Sequence, residues 1–370
     1  MYMAALFIKG GTMDYNAEAL NRHRQFNGKI SICNRIPLDS REDLSVAYTP
    51  GVAAPCKEIC NNPGKVYEYT PKGRMIAVIS DGSAVLGLGN IGASAAIPVM
   101  EGKAALFKRF GDIDAIPICL DTQDTDEIVQ TVKNIAPFFG GINLEDISSP
   151  RCFLIERQLE EMLDIPVFHD DQHGTAIIKM LLTIGARNVI ACDEYGILYK
   201  NREIGIIDHK KELCDITNKG QLRGTLEYAL EGADVFIGVS KAGMLKPEMV
   251  QHMAKDPIIF AMANPDPEIA YETARNAGAR IIGTGRSDYP NQINNLLAFP
   301  GVFKGALSVR ARNITASMKT AAAKAIASCV PESRLKEDYI IPDIFDSNVT
   351  EAVARSVAEA WKRELPGQVI

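Results

Sequence analysis

Short apolar runs alternate with helical stretches along most of this chain, and that alternation leaves few folds open. Met75–Ile79 and Ala115–Leu120 read as strands, with helices expected over Ala95–Phe110 and Arg151–Leu163. Strand, helix and strand in repeated order point to parallel pairing, because parallel neighbours need a long crossover between them. The second half repeats the rhythm with strand candidates Asn188–Cys192, Asp234–Val239, Ile258–Met262 and Arg280–Gly283, and a helical segment at Leu222–Leu230. Helices are expected at Ala316–Cys329 and Val349–Arg363, the latter capped by Ser347 or Asn348 and stopped before Pro366. The fold class is therefore α/β, with a doubly wound second half. Residues 1–12 read as an extension, 13–171 as an N-terminal α/β domain and 172–370 as the second domain, divided at the acidic turn near His169 to Thr175.

At 370 residues the chain has room for two or three domains, on a typical domain size of about 150. A net charge of −6, with no basic cluster longer than pairs such as Lys108-Arg109 and Lys210-Lys211, offers no footprint for nucleic acid. No run approaches the ~18 apolar residues of a membrane span. Residues 1–10 lack the basic region and cleavage site of a secretory signal, so the expected location is cytoplasmic and no membrane is a partner. The eight cysteines form no C-x-x-C pair, which argues against a disulfide framework or a thiolate zinc site. What remains is an α/β protein acting on a small molecule.

Two acidic clusters fall where such a fold places ligands. Glu145 and Asp146 follow an apolar stretch, and Ile165–Phe168 runs into His169, Asp170 and Asp171. Acids at the carboxyl ends of neighbouring parallel strands would converge, and an all-oxygen donor set suits Mg²⁺ or Mn²⁺. The plainer alternative is a set of solvated acids at loop ends. His169 and His173 are four apart, but the glutamate of an H-E-x-x-H zinc motif is missing and Gly174 disfavours a helix there.

Gly87-Leu-Gly89-Asn-Ile-Gly92 satisfies the G-x-G-x-x-G pattern of dinucleotide sites, and Asp112 follows twenty residues later. The first glycine should follow its strand directly, whereas Ser80 to Leu86 intervene. The loop is thus a candidate cofactor site through Gly87, Gly89 and Gly92, or a tight turn lining the domain cleft.

Several segments together resemble one family: Tyr48-Thr-Pro-Gly-Val-Ala53, Asp81-Gly-Ser-Ala-Val-Leu-Gly-Leu-Gly-Asn90, Glu101-Gly-Lys-Ala104, Asn143-Leu-Glu-Asp146, His169-Asp-Asp-Gln-His-Gly-Thr-Ala176, and Asn294-Asn295 with Phe299-Pro-Gly301. They are similar to the short bacterial type of malic enzyme from about Met13 to Lys362. The resemblance implies oxidative decarboxylation of L-malate to pyruvate and CO₂, dependent on a divalent metal and on NAD(P), in a homodimer. On the matching positions it implies Tyr48 as general acid and Lys103 as base, with Asp170 orienting Lys103 as a counter-ion. It implies Glu145, Asp146 and Asp171 as ligands of Mg²⁺ or Mn²⁺, Asn264 and Asn295 as substrate contacts, and Asn264 near the nicotinamide. Singly, Tyr48 reads as a turn residue, Lys103 as an exposed helix residue and Asn295 as a loop residue; their joint occurrence with the acids favours the catalytic roles.

The chain departs from the family at the start of its second domain. Gly174-Thr-Ala-Ile177 runs directly through Ile184 to the strand candidate ending near Asp193, so the family's first strand and glycine-rich phosphate turn are missing. A helix-plus-strand unit is about 30 residues, a plausible size for the gap. The missing strand should be central and buried, and its helix N-terminus should bind the pyrophosphate. Asp193 remains to meet a ribose hydroxyl, and Glu194 beside it, without an adjacent Arg, favours NAD over NADP. Three functions follow: a working NAD-dependent enzyme of this type, a remnant that decarboxylates oxaloacetate through metal, Lys103 and Tyr48, or a silent dimeric subunit.

Overall fold

The computed structural model describes residues 14–85, 87–169, 173–206 and 208–365. Its first sheet holds β1 (Met75–Ser80), β2 (Asp114–Cys119), β3 (Gly141–Leu144) and β4 (Val167–His169), all parallel and in the order β2-β1-β3-β4. Side chains of β1 alternate between two apolar layers, as period-two geometry requires. Ala77 and Ile79 face Ile128, Val132, Ile155 and Leu159 from the helices Thr125–Ile135 and Arg151–Met162. Ile76 and Val78 face Met100, Phe107 and residues from the far end of the chain. Cover on both faces is what allows β1 to read as one unbroken apolar run.

That far end is the helices Phe299–Ser308, Ala316–Ser328 and Ser347–Glu364. Phe107 meets Phe299 and Phe303 edge-on, with centroids 4.6 and 5.4 Å apart. Gly301 and Gly305 let the first of these helices lie against the last: a Cβ on Gly305 would come within 2.4 Å of the Ala354 carbonyl. One core therefore unites residues 76–115 with 297–361, across the 171/172 division drawn from the sequence. The last helix is capped by Asp346, whose carboxylate accepts from the Asn348 amide at 3.0 Å, rather than by Ser347 or Asn348.

The second sheet contains β7 (Val235–Gly238), β8 (Ile258–Ala261) and β9 (Ile281–Thr284), parallel and in sequence order. The expected strand at Asn188–Cys192 is not part of it. Only Cys192–Asp193 (β5) pairs, antiparallel with Gly196–Ile197 (β6), in a two-residue hairpin. Without a neighbouring parallel strand the preceding residues find other partners, such as the Asn218 amide on the Val189 carbonyl at 2.8 Å. Among the described residues no strand lies between β4 and β5. A helix, His173–Thr183, fills part of that interval, with Gly174 in its first turn despite the low helix propensity of glycine.

The N-terminal helices Tyr15–Phe26, Arg41–Ala47 and Ala53–Asn61 bury no residue, and leave Leu20, Phe26, Ile32, Val46 and Tyr48 exposed.

Candidate active site

The first sheet reverses its direction of growth between β1 and β3, since the chain steps outward to β2 and returns past β1 to β3 and β4. A crevice opens beyond the carboxyl ends of strands at such a point. Asp81 follows β1 there, and Glu145 and Asp146 follow β3. The Glu145 amide donates to the Ile79 carbonyl at 2.8 Å, extending the ladder by one residue and fixing where the acids begin.

Lys103 reaches the same place from the helix Ala93–Leu106 and is buried. Its Nζ lies 3.1 Å from both Glu145 oxygens and 4.1 Å from the centroid of the Phe299 ring. Asn143 donates to Glu145 Oε2 at 2.8 Å, while its own buried Oδ1 accepts from no donor among the described residues. Asp146 is buried with a left-handed backbone, φ 55°. A cavity of about 470 Å³ opens onto Lys103 and Glu145 and is also lined by Asn295, Lys29 and Pro98.

The two carboxylates, out of bulk water at the end of β3, are donors of the kind a hard cation takes. Among the described residues the acids form a pair, and no group of three or more metal-ligating side chains is present. The expected third ligand Asp171, and Asp170, lie outside the described residues. Among the described residues Lys103 pairs with Glu145, a residue expected only as a metal ligand. His169 is buried at the end of β4, on a strand, so it and His173 do not share a helix face as a zinc motif would need.

The other expected residues are dispersed. Tyr48 follows the helix Arg41–Ala47, is 68% exposed and does not line the Lys103 cavity. Asn264 is exposed beyond the carboxyl end of β8. Its loop is held by a residue the sequence reading missed: Glu268, fully buried, accepts from the Ser240 amide at 2.7 Å and the Ala263 amide at 3.0 Å. It thereby ties the loop after β7 to the loop after β8.

Gly87, Gly89 and Gly92 have φ of 76, 74 and 77°, and Val85 bridges Gly89 in a tight exposed turn. Gly92 is the N-cap of the Lys103 helix. Twelve residues of loop therefore separate β1 from this helix, too many for the strand–turn–helix geometry of a pyrophosphate site.

Asp193 is engaged as well. Arg202 Nη1 donates to its Oδ1 at 2.9 Å and Nη2 makes a very short contact with Oδ2; Lys210 Nζ lies 2.7 Å from Oδ2. The absence of an adjacent arginine, on which the preference for NAD rested, is corrected by Arg202: it is nine residues further on and was invisible to a local reading. The described residues thus do not fit the pyrophosphate and ribose half of a dinucleotide. Burial, with Asp193 beside it, pushes the Cys192 thiol up to about 11, so it is no thiolate near neutral pH.

Fold and site together define a two-sheet α/β protein with an acid–lysine crevice at a switch point. Residues 27–160 match the profile of the malic enzyme N-terminal domain, and 182–362 that of the malic enzyme NAD binding domain. The chain belongs to the malic enzyme family. It is 52% identical over 382 positions to the bifunctional malic/malolactic enzyme of Bacillus subtilis, covering 94% of this chain and 93% of that one. It is 53% identical to the NAD-dependent malic enzyme of Geobacillus stearothermophilus, over 91% of this chain and 77% of the relative. The NAD-dependent malic enzyme structure from Thermotoga maritima superposes with a TM-score of 0.87 at 47% identity, covering 92% of this chain and 98% of that one. Since 94% of 370 residues is about 348, about 34 of the 382 positions aligned with the Bacillus protein face no residue here. That matches the size of one helix-plus-strand unit, about 30 residues.

Burial pushes the Asp193 carboxyl up, but bonds from Arg202, Lys210 and the Tyr195 amide outweigh it and hold it below the ordinary value. A depressed carboxyl stabilises the folded chain above its unfolded pKa and loses that contribution as the pH falls through the folded one. Asp193→Asn is expected to lower the melting temperature at pH 7, and the gap to wild type should close as the pH drops below about 4. Thermal melts across that range check this, and a gap independent of pH would show that the charge pair contributes nothing.

Proposed function

We propose that this chain catalyses the oxidative decarboxylation of L-malate to pyruvate and CO₂, using Mg²⁺ or Mn²⁺ and NAD. The observation that carries the reading is the buried set of Lys103, Glu145 and Asp146 at the switch point, of which Lys103 and Glu145 line a cavity large enough for a small acid. Membership of the malic enzyme family, with its NAD-binding domain profile, supports it. So do the printed names of the Geobacillus and Thermotoga relatives, which also favour NAD, although a Rhizobium meliloti relative at 46% identity is NADP-dependent by name.

Glu145 and Asp146, with Asp171, would hold the metal, which when bound polarises the substrate oxygens and offsets developing negative charge. Lys103, as the neutral amine, would take the proton from the C2 hydroxyl and become the ammonium that pairs with Glu145. Asn295, in the same cavity, orients the substrate, as does Asn264. After CO₂ leaves, Tyr48 returns a proton to C3. Burial of Lys103 keeps water from competing for that proton. NAD, when bound, would accept the hydride from C2, and it is expected to bind weakly because the phosphate turn has no counterpart among the described residues.

We place the protein in the cytoplasm, as a homodimer whose second copy covers residues 14–62. Three helices without a buried residue carry more apolar surface than a lone domain usually exposes, and Tyr48 sits within it. Ile32→Asp should shift the protein from dimer to monomer in sedimentation; a monomeric wild type would end this placement. Among the described residues no helix is long and apolar enough to cross a membrane.

A second reading, decarboxylation of oxaloacetate alone, is favoured by the engaged Asp193 and by the lack of a strand between β4 and β5 among the described residues. Purified protein with Mn²⁺ should form NADH from L-malate, saturating only at NAD well above the usual KM ceiling of about 1 mM. Lys103→Ala should abolish both this and oxaloacetate decay while the melt stays cooperative. Oxaloacetate decay without NADH at any NAD concentration would establish the second reading, and activity in Lys103→Ala would sink both.

A further inference from the structure

Asp81, which the roles above do not use, has a fully buried side chain. Its Oδ2 accepts from Arg151 Nη2 at 2.9 Å, and its Oδ1 from the Ser83 amide at 2.9 Å and hydroxyl at 2.5 Å. The Ser83 oxygen in turn accepts from the Ser148 amide and from Arg151 Nη2, both at 2.9 Å, so its one donor and two acceptor sites are all filled. Arg151 Nη2 also lies 2.9 Å from Ser148 Oγ, and its other nitrogen reaches the Gln123 carbonyl. This network meets the acid turn from both sides: the Ala84 amide donates to the Asp146 carbonyl at 3.0 Å, and Ser83 holds the Ser148 amide two residues on.

Asp146 needs such a grip. A non-glycine residue in the left-handed region stays there only when its surroundings over-determine it. The same loop also fixes the start of the Lys103 helix, because the Gly82 carbonyl accepts from the Ile91 and Gly92 amides at 3.0 and 3.2 Å. Gly82 has φ 67° and lies so close to Gly92 that a Cβ would come within 2.3 Å of its carbonyl oxygen. One short segment, 81–84, therefore sets the acid turn and the helix that carries Lys103 relative to each other.

We propose that Asp81, Ser83 and Arg151 are positioning residues for the cation: they lock the left-handed Asp146 turn and so set metal affinity without touching substrate. The inference rests on the metal-dependent reading of this site. Its test is a Mn²⁺ titration of the full chain followed by the electron paramagnetic resonance signal of free Mn²⁺, for wild type, Asp146→Asn, Arg151→Met, Arg151→Lys and Ser83→Ala. Arg151→Met should weaken Mn²⁺ binding by about ten-fold or more, as loss of outer-sphere support does. Arg151→Lys, which keeps one charged donor for Asp81, should fall between it and wild type. At saturating Mn²⁺, the Arg151→Met kcat for oxaloacetate decarboxylation should recover to near wild type with KM unchanged.

Unaltered Mn²⁺ affinity in a cooperatively melting Arg151→Met protein would overturn the proposal, as would a kcat loss that Mn²⁺ cannot restore, the mark of a purely structural role. Should Arg151→Met fail to fold, Ser83→Ala decides: weaker Mn²⁺ binding supports the clamp and an unchanged titration overturns it. Failure of the underlying reading looks different, because wild type itself would then take up no Mn²⁺ or would be indistinguishable from Asp146→Asn.

Discussion

The ion pair between Lys103 and Glu145 is the contact on which the site depends. Removing both charges from water carries a desolvation penalty that their attraction repays only with good geometry and further partners. Both are supplied here. Lys103 sits 3.1 Å from each Glu145 oxygen and over the Phe299 ring, and Asn143 donates to Glu145 from the strand below. Each partner arrives on a different element: a helix after a long loop, the end of β3, and the C-terminal helix Phe299–Ser308. The pair can form only when residues nearly two hundred positions apart have packed.

That packing separates the fate of the two sheets. The helices from residue 299 onward close the face of β1 with Phe299, Phe303, Val353 and Val357, so the C-terminal segment completes the first core. The second sheet has its own cluster around Phe236, Ile259 and Ile282. Among the described residues no strand lies between β4 and β5, and the first core closes without one; on the dinucleotide side Asp193 is occupied by Arg202 and Lys210.

Much of the fold was legible because strands covered on both faces announce themselves as apolar runs. β1, β2, β7, β8 and β9 and the helices at Arg151, Ala316 and Ser347 fall where the pattern puts them, within a few residues. The failure at Asn188–Cys192 is instructive: the residues have strand character, but a parallel strand also needs a neighbour, which local pattern does not encode. In the site, acids after an apolar run were readable, and so was Lys103 through its motif. The Glu145–Lys103 pairing, the Arg202 grip on Asp193, and the roles of Asp81, Arg151 and Glu268 were not. Each depends on side chains meeting across loops, and their sequence spacing carries no periodic signal.

The most direct test of the account is a crystal structure of the protein with Mn²⁺ and oxalate, with the ion located by its anomalous scattering. The account predicts one Mn²⁺ site on the carboxylates of Glu145 and Asp146, with Lys103 in contact with the oxalate. Manganese bound elsewhere, or oxalate out of reach of Lys103, would contradict it.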